Sequence, residues 1–491
     1  MDAIKKMFEV IRIRVKLGQK RGEAISSVNG IKQGDPLSPL LFGLFIEILG
    51  DMLDLNAPNL GIPVFHLLIK ALFYADDVTL TADSPEQLQS LLDVVSEFCD
   101  MFGMTVNTSK TVVIVFRQAR HKLPTPKCKW FYKGVEVPMV TSVSILGVRF
   151  DSVGLVQPWK GPLLDSCWKA LFGLQRILQY HDLYGPEVKL RMFNSRVKST
   201  MLYGSQIWGA DFITTDPLKA MKNPFMLMQL SFLRFVTGAS KSVDKQVLLD
   251  ECGQQPLPCL WLQILCRFWN NLAEVENGTI SNLVFKDNVR LANLGCVSCW
   301  SSKVWNLCHN LDPILFTSTD VSDNMHLNDK ELAVAIGGKL CPPELTPSDP
   351  RAAPSKGIAK CIYNAWFRTD RLDSVPTHIT CLDIPEKHHT TLMRFRIGCG
   401  KVATNTGRCC LPKDKIPRCE RTCKFPGCSG VEDEFHVVIE CKAYDSLRSR
   451  PIFRPLFAST SAADMKTFMN GTNQSLVAQF LYELFAARTH N

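Results

Sequence analysis

Two adjacent carboxylates, Asp76 and Asp77, stand between the apolar half-strands Ala71-Leu72-Phe73-Tyr74 and Val78-Thr79-Leu80. Side by side at a strand-to-strand turn, they repel each other unless a cation sits on them. Hard oxygen ligands on a rigid hairpin suit Mg²⁺, which keeps waters and takes phosphate oxygens to complete its octahedron. That is the ligand chemistry of two-metal phosphoryl transfer. A solvated hairpin loop fits the same turn, so the Tyr-x-Asp-Asp pattern alone leaves both readings open.

A second constellation lies near the C-terminus, Cys423-x4-Cys428-x7-His436-x4-Cys441. Two close thiols followed by a histidine and a third thiol make a Cys₃His set suited to tetrahedral Zn²⁺. Pro426 and Gly427 supply the tight knuckle between the first two cysteines, and Phe435 stands ready to pack under the histidine. Cys419, four residues before Cys423, is an alternative first ligand. Cys296-x2-Cys299 is a weaker signal, with only His309 following at a ligand spacing.

Three elements must position the paired aspartates. Upstream, Gly30-Ile31-Lys32-Gln33-Gly34-Asp35-Pro36-Leu37-Ser38-Pro39 is turn chemistry leading into an apolar helix over Leu40–Leu49. Gly34 is free to take positive φ, while Pro36 and Pro39 fix theirs. Such a loop turns backbone N–H groups and a helix N-terminus toward an anion. Downstream, Ser84-Pro85-Glu86-Gln87 reads as a capping box, with Leu88, Leu91, Leu92, Val95 and Phe98 on one face of the helix that follows. Gly103-Met104-Thr105-Val106-Asn107-Thr108-Ser109-Lys110 then sets a lysine after a turn and before the strand Thr111–Phe116.

In this order and spacing the blocks resemble the palm of reverse transcriptases of non-LTR (LINE-type) retrotransposons. The resemblance implies that Asp76 and Asp77 hold catalytic Mg²⁺ or Mn²⁺. It places Gln33, Gly34, Pro36 and Tyr74 against nucleotide and template, and Lys110 near the pyrophosphate as a general acid. Ile145-Leu146-Gly147-Val148-Arg149-Phe150-Asp151 is similar to the hairpin that grips the primer end. Met201–Gly209 looks like the segment following the thumb; a buried aromatic helix explains it equally well. The family's reading frames also commonly end in a Cys-Cys-His-Cys element followed by a Tyr and a Leu-Arg pair, which Tyr444, Leu447 and Arg448 match. Zn²⁺ at Cys423, Cys428, His436 and Cys441 is the cofactor this implies, although the first spacing is longer than the family's usual one. The implied partners are an RNA template and a DNA primer or target DNA.

The family palm opens with a strand carrying another metal-binding aspartate, upstream of the Gln33-Gly34 loop. Met1–Ile11 matches the helix and strand after that motif. The chain therefore reads as truncated at its N-terminus and inactive as it stands. The alternative function is a non-enzymatic nucleic-acid-binding remnant acting through the thumb and the zinc knuckle.

Length and composition bound the rest. The fold class expected is α+β, over 491 residues with 46% hydrophobic. The divisions expected are a partial palm at 1–151, a helical thumb and extension at 152–311, a linker at 312–357 and a C-terminal zinc-knuckle region at 358–491. The linker rests on the Pro, Ser and Asp gathered around Cys341–Pro350. In the thumb, Trp168, Leu171, Leu174, Ile177 and Leu178 share one helical face, and Met226, Leu230, Leu233 and Phe235 another. The 19 cysteines, mostly single and in apolar settings, fit reduced thiols rather than a secreted framework. No signal peptide or membrane-spanning stretch is read, so an intracellular place is expected, nucleus and cytoplasm being equally compatible. A net charge of +9 fits a polyanionic partner. Arg394, Arg396, Arg408, Lys413, Lys415, Arg418, Arg421 and Lys424, before and within the knuckle, are the candidate phosphate contacts.

Overall fold

The computed structural model describes residues 11–27, 30–31, 34–116, 128–152, 157–180, 185–311, 321, 326–341, 358–368, 375–400, 402–406, 416–417, 420–457, 462–471 and 473–489. They fall into two units, one within 1–155 and 277–287, the other within 156–276 and 288–491. Helices and strands are mixed, an α+β composition, with the named strands confined to the first unit.

In the first unit, β1 (Ile11–Leu17) and β2 (Lys20–Ser27) form an antiparallel ribbon. Helix α1 (Ser38–Asn56) follows the glycine-proline loop. Asp35 starts it: its Oδ1 accepts the Leu37 N–H at 2.9 Å, and its carbonyl accepts the Ser38 N–H at 3.1 Å. Then come β3 (Ile62–Val64), β4 (Leu67–Ile69), β5 (Ala71–Tyr74) and β6 (Asp77–Leu80). Helix α2 (Pro85–Phe102) is capped as its sequence predicts, with Ser84 Oγ accepting the Gln87 N–H at 3.2 Å. The Gln87 side chain reaches one residue further back than a capping box requires, to the Asp83 N–H.

Leu91, Leu92, Val95 and Phe98 of α2 are buried against Leu49 and Leu53 of α1. Trp130 and Tyr132 complete this core from β8 (Trp130–Tyr132), after β7 (Val113–Ile114), and β9 (Val135–Val137) adds Val137. Each such side chain contributes about 1.5–3 kcal/mol on burial, enough to hold α1 and α2 together. The unit continues through β10 (Met139–Val140), β11 (Ser142–Ile145) and β12 (Val148–Asp151). The predicted primer-end hairpin is thus β11–β12, in which Arg149 donates to Ser142 Oγ at 2.8 Å. Its turn pairs Leu146 at φ 49° with Gly147 at φ 77°, the double positive φ of a type I′ turn.

The second unit is mainly helical. Helix α3 (Gln157–Tyr180) buries Leu171, Leu174 and Leu178, the face the spacing predicts, and leaves Trp168 and Ile177 half-buried. Trp208 of α4 (Ser205–Phe212), Phe225 of α5 (Pro224–Thr237) and Trp261 of α6 (Leu257–Glu274) build an aromatic core. Trp208 and Trp261 meet edge-on at 5.4 Å. Within the Met201–Gly209 block, Met201, Ser205 and Trp208 are buried and Tyr203 is exposed. Further along lie α7 (Trp300–Leu311), α8 (Asp329–Leu340), α9 (Glu386–Arg396) and α10 (Gln474–Thr489).

Helix α8 corrects the linker expected over 312–357. Asn328 caps it, and Leu332, Ala333, Ile336 and Leu340 are buried. Its short apolar stripe is hidden in the composition by a polar flank before it and a proline-rich one after it; residues 312–320, 322–325 and 342–357 lie outside the described residues. The C-terminal region also shares a core with the helical one. Arg396, 1% exposed, donates through Nε to both oxygens of Glu251, at 2.9 and 3.0 Å. Among the described residues no helix is long and apolar enough to cross a membrane.

Candidate catalytic hairpin and candidate metal centre

The paired aspartates sit where their turn chemistry directs them. β5 and β6 pair antiparallel with Phe73 opposite Val78 and Tyr74 opposite Asp77, leaving Ala75 and Asp76 as the two-residue turn. Ala75 carries a left-handed φ of 50° without being glycine, a conformation that costs an L residue about 1–2 kcal/mol. Tyr74, Asp76 and Asp77 are all exposed.

Beside this turn opens a cleft of about 1120 Å³. Gly34 and Pro36 of the loop, Phe42 and Ile46 of α1, and Tyr74 and Asp76 of the hairpin line it. So the loop and the hairpin, 40 residues apart in sequence, share one concavity. Asp35, Glu47, Asp51 and Asp54 also line it, and Asp54 is neutralised by Lys70, whose Nζ lies 2.5 Å away. Asp77 and Lys110 do not line it. Lys110 is exposed at the end of the turn Asn107–Lys110, its N–H bonded to the Asn107 carbonyl at 3.0 Å. Gln33 lies outside the described residues. Among the described residues, no third metal-capable side chain gathers with Asp76 and Asp77 at ligand distance.

The cysteine and histidine set, by contrast, is assembled. One ligand atom from each of Cys423, Cys428, His436 and Cys441 lies within 4.8 Å of all the others. Cys423 Sγ and Cys428 Sγ stand 3.8 and 3.9 Å from Cys441 Sγ. A tetrahedron with Zn–S bonds of ~2.3 Å has edges of about 3.8 Å, so the thiols are already at zinc spacing. Gly427, at φ 83°, closes the long Cys423–Cys428 loop, and the Cys428 N–H bonds the Phe425 carbonyl at 3.0 Å. Gly430 packs closely on the imidazole: a Cβ there would lie 3.2 Å from His436 Nδ1, tighter than an ordinary contact.

His436 Nε2 is buried without a hydrogen-bond partner, while Nδ1 lies 3.2 Å from Glu440 Oε2. That is the disposition of a metal-binding imidazole steadied by a carboxylate behind it. Burial pushes the Cys441 thiol up to about 12 and raises Cys423 in the same direction, so a cation is needed to draw out thiolates here. Arg448 clamps the end of the knuckle, donating to the Val438 carbonyl at 3.0 Å and to the Cys441 carbonyl. Tyr444 accepts from Arg488 at 3.4 Å, and Leu447 is buried. The Tyr and Leu-Arg positions thus brace the knuckle. Phe435, expected to pack under the histidine, has its ring against Trp366, with centroids 5.8 Å apart. Cys419 lies outside the described residues.

Two candidate phosphate contacts are spent inside the fold. Arg396 is buried on Glu251, which corrects its reading as a phosphate ligand. Arg421 donates to the carbonyls of Thr404 at 2.6 Å and Ile416 at 2.8 Å. Arg394 and Lys424 remain exposed; Arg408, Lys413, Lys415 and Arg418 lie outside the described residues.

Residues 2–150 match the family described as reverse transcriptase (RNA-dependent DNA polymerase). These residues carry a reverse transcriptase domain. Relatives it matches include Pol polyproteins of R2 retrotransposable elements. The chain is 32% identical over 180 residues to the retrovirus-related Pol polyprotein of the type-2 retrotransposable element R2DM of Drosophila melanogaster, a match covering 33% of this chain and 17% of that protein. It is 30% identical over 184 residues to the corresponding polyprotein of the type-1 element R2 of Popillia japonica, covering 36% of this chain and 24% of the relative. The element R2 of Nasonia vitripennis gives 28% identity over 152 residues, with 30% and 14% covered. The chain thus spans less than a quarter of the length of these relatives. The reverse transcriptase domain contains both the cleft and the aspartate hairpin.

Proposed function

We propose that the chain is part of an RNA-directed DNA polymerase of the R2 kind, with RNA as template and DNA as primer or target. The observation that carries this reading is the shared cleft. Within the reverse transcriptase domain, Gly34 and Pro36 face Tyr74 and Asp76 across one cavity. Asp76 and Asp77 would hold Mg²⁺ or Mn²⁺, which bridges phosphate oxygens and neutralises charge developing on them. Gly34, with its φ of 86°, and Pro36 shape the wall against which nucleotide and template lie, with Gln33 beside them. Lys110 is the candidate general acid, and needs the cleft to close toward it. Asp76 and Asp77 are neighbours in one turn, and holding two ions about 3.5–4 Å apart would call for a further carboxylate that the described residues do not bring to them. The chain by itself is therefore expected not to extend a primer.

Zn²⁺ would be held by Cys423, Cys428, His436 and Cys441, where it would tie the Cys423–Cys428 loop to the His436–Cys441 segment and so contribute directly to folding. The exposed cations Lys424, next to Cys423 in the chain, and Arg394, on α9, are candidate contacts to nucleic-acid phosphate. A second reading, nucleic-acid binding without catalysis, draws support from the contrast between this assembled ligand set and the two-acid hairpin. Primer extension on an RNA template, with Asp76 as the residue to remove, separates the two.

A further inference from the structure

Cys296 and Cys299 flank the turn Val297-Ser298 at the start of α7, and nothing in the polymerase reading uses them. The Cys299 N–H donates to the Cys296 carbonyl at 3.4 Å. The four residues therefore form a turn whose end Cα atoms lie within about 7 Å, overlapping the ~4.4–6.8 Å a disulfide spans. The Ser302 hydroxyl fastens the turn by donating to the Cys296 carbonyl at 2.7 Å.

A hydroxyl stands beside each thiol. Cys296 Sγ lies 3.6 Å from Ser298 Oγ, and Cys299 Sγ lies 3.1 Å from Ser302 Oγ. The hydrogen bond from Ser298 lowers the Cys296 thiol below its usual range against the small opposing effect of burial, and the backbone N–H groups and the thiol of Cys299 add to it. Both cysteines are half-exposed, and Leu294 and Val297, close by in the chain, are exposed. Several other thiols are buried, and burial pushes Cys167 and Cys259 up to about 12, while Cys128 is exposed and Cys341, Cys381 and Cys399 are half-exposed single cysteines. Two thiols fill only half of a zinc tetrahedron, and among the described residues no third ligand gathers with this pair.

We propose that Cys296 and Cys299 are a redox-active dithiol, oxidised to an intramolecular bridge by a low-molecular-weight disulfide of the glutathione type. The Cys296 thiolate attacks one sulfur of that disulfide, forming a mixed disulfide and expelling one small thiolate. Cys299 then gives up its proton and attacks the Cys296 sulfur, expelling the second small thiolate. Two cysteine thiols are oxidised and one small disulfide is reduced, the two protons passing to the departing thiolates. The bridge would pin the first turn of α7. There Trp300 stacks on Trp269 at 5.6 Å and donates through Nε1 to the Gln206 carbonyl at 3.0 Å.

The test uses the whole chain, equilibrated in a glutathione buffer with the oxidised form in excess, then blocked with N-ethylmaleimide and mapped by peptide mass spectrometry. The expected result is a Cys296–Cys299 bridge as the predominant modification, lost after dithiothreitol. A Cys299→Ser chain is expected to stop at the mixed disulfide, with glutathione on Cys296. Unmodified thiols at both positions in the unaltered chain would overturn the proposal. So would separate glutathione adducts on both with no bridge, a result that needs no variant to interpret.

Discussion

His436 Nδ1 stands 3.2 Å from Glu440 Oε2, one helical turn further along, while Nε2 on the other side of the ring is buried and unpartnered. The carboxylate selects the tautomer with its proton on Nδ1 and leaves the Nε2 lone pair for a metal. Removing such a support typically weakens metal binding by about 10–100-fold. Glu440→Gln is expected to fall in that range for zinc, and His436→Ala to lose more, in competition with a chromophoric chelator. Zinc affinity unchanged in both variants would refute the ligand assignment.

His389 predicts an acid sensitivity. It is 2% exposed, and burial, aided by the charge of neighbouring His378, depresses its pKa to about 4 from the usual histidine value of 6.5. Between these values the unfolded chain binds the extra proton, so stability rises with pH through this window and is lost as pH falls. The contribution is about 3 kcal/mol, present in full above pH 6.5. Denaturant melts compared at the two ends of the window should show a His389→Gln chain losing less stability on acidification than the unaltered one. Parallel losses in the two chains would assign the acid sensitivity elsewhere.

Glu251 is the keystone of the second unit. Burial alone would raise its carboxyl, but Arg396 and His378 outweigh that and hold it below its usual range. Tyr363 adds a hydrogen bond at 3.0 Å. Truncating one member of a buried ion pair leaves an uncompensated charge and costs about 3–5 kcal/mol. Arg396→Met alone is expected to lose that much, and Arg396→Met with Glu251→Gln less than the sum of the single losses. Additive losses would mean that the pair is not coupled.

The nucleic-acid reading makes its prediction at Lys424, which is exposed, rather than at Arg421, whose guanidinium is tied to two carbonyls. Each lost phosphate contact reduces the log–log salt slope by about 1. Lys424→Glu should therefore weaken binding of a labelled single strand and flatten its salt dependence. The same slope in both chains would make this face an ordinary solvated rim.

Local chemistry was readable where spacing constrains it. Ser84 caps α2, Leu171 and Leu174 face inward, and the four zinc-set residues meet despite the long Cys423–Cys428 spacing, because Gly427 bends the chain. Long-range partnerships were not readable. Arg396 looks like any basic residue until Glu251, 145 positions earlier, is seen against it. Glu440 is one acid among many until its oxygen is placed behind the imidazole. Helix α8 was lost to its flanks, since composition averaged over a long window dilutes a 12-residue stripe. The cleft follows from α1 and the β5–β6 hairpin meeting in space, which no local pattern encodes.

The most direct measurement is primer extension on an RNA template, with the chain alone and with the chain fused to an upstream palm strand bearing an aspartate, each with and without Asp76→Ala. The account predicts no extension by the chain alone, extension by the fusion, and its loss when Asp76 is replaced. Extension by the chain alone that disappears in Asp76→Ala would contradict it, because another acid would then complete the metal site. Extension by the fusion that survives Asp76→Ala would remove the hairpin from the chemistry altogether.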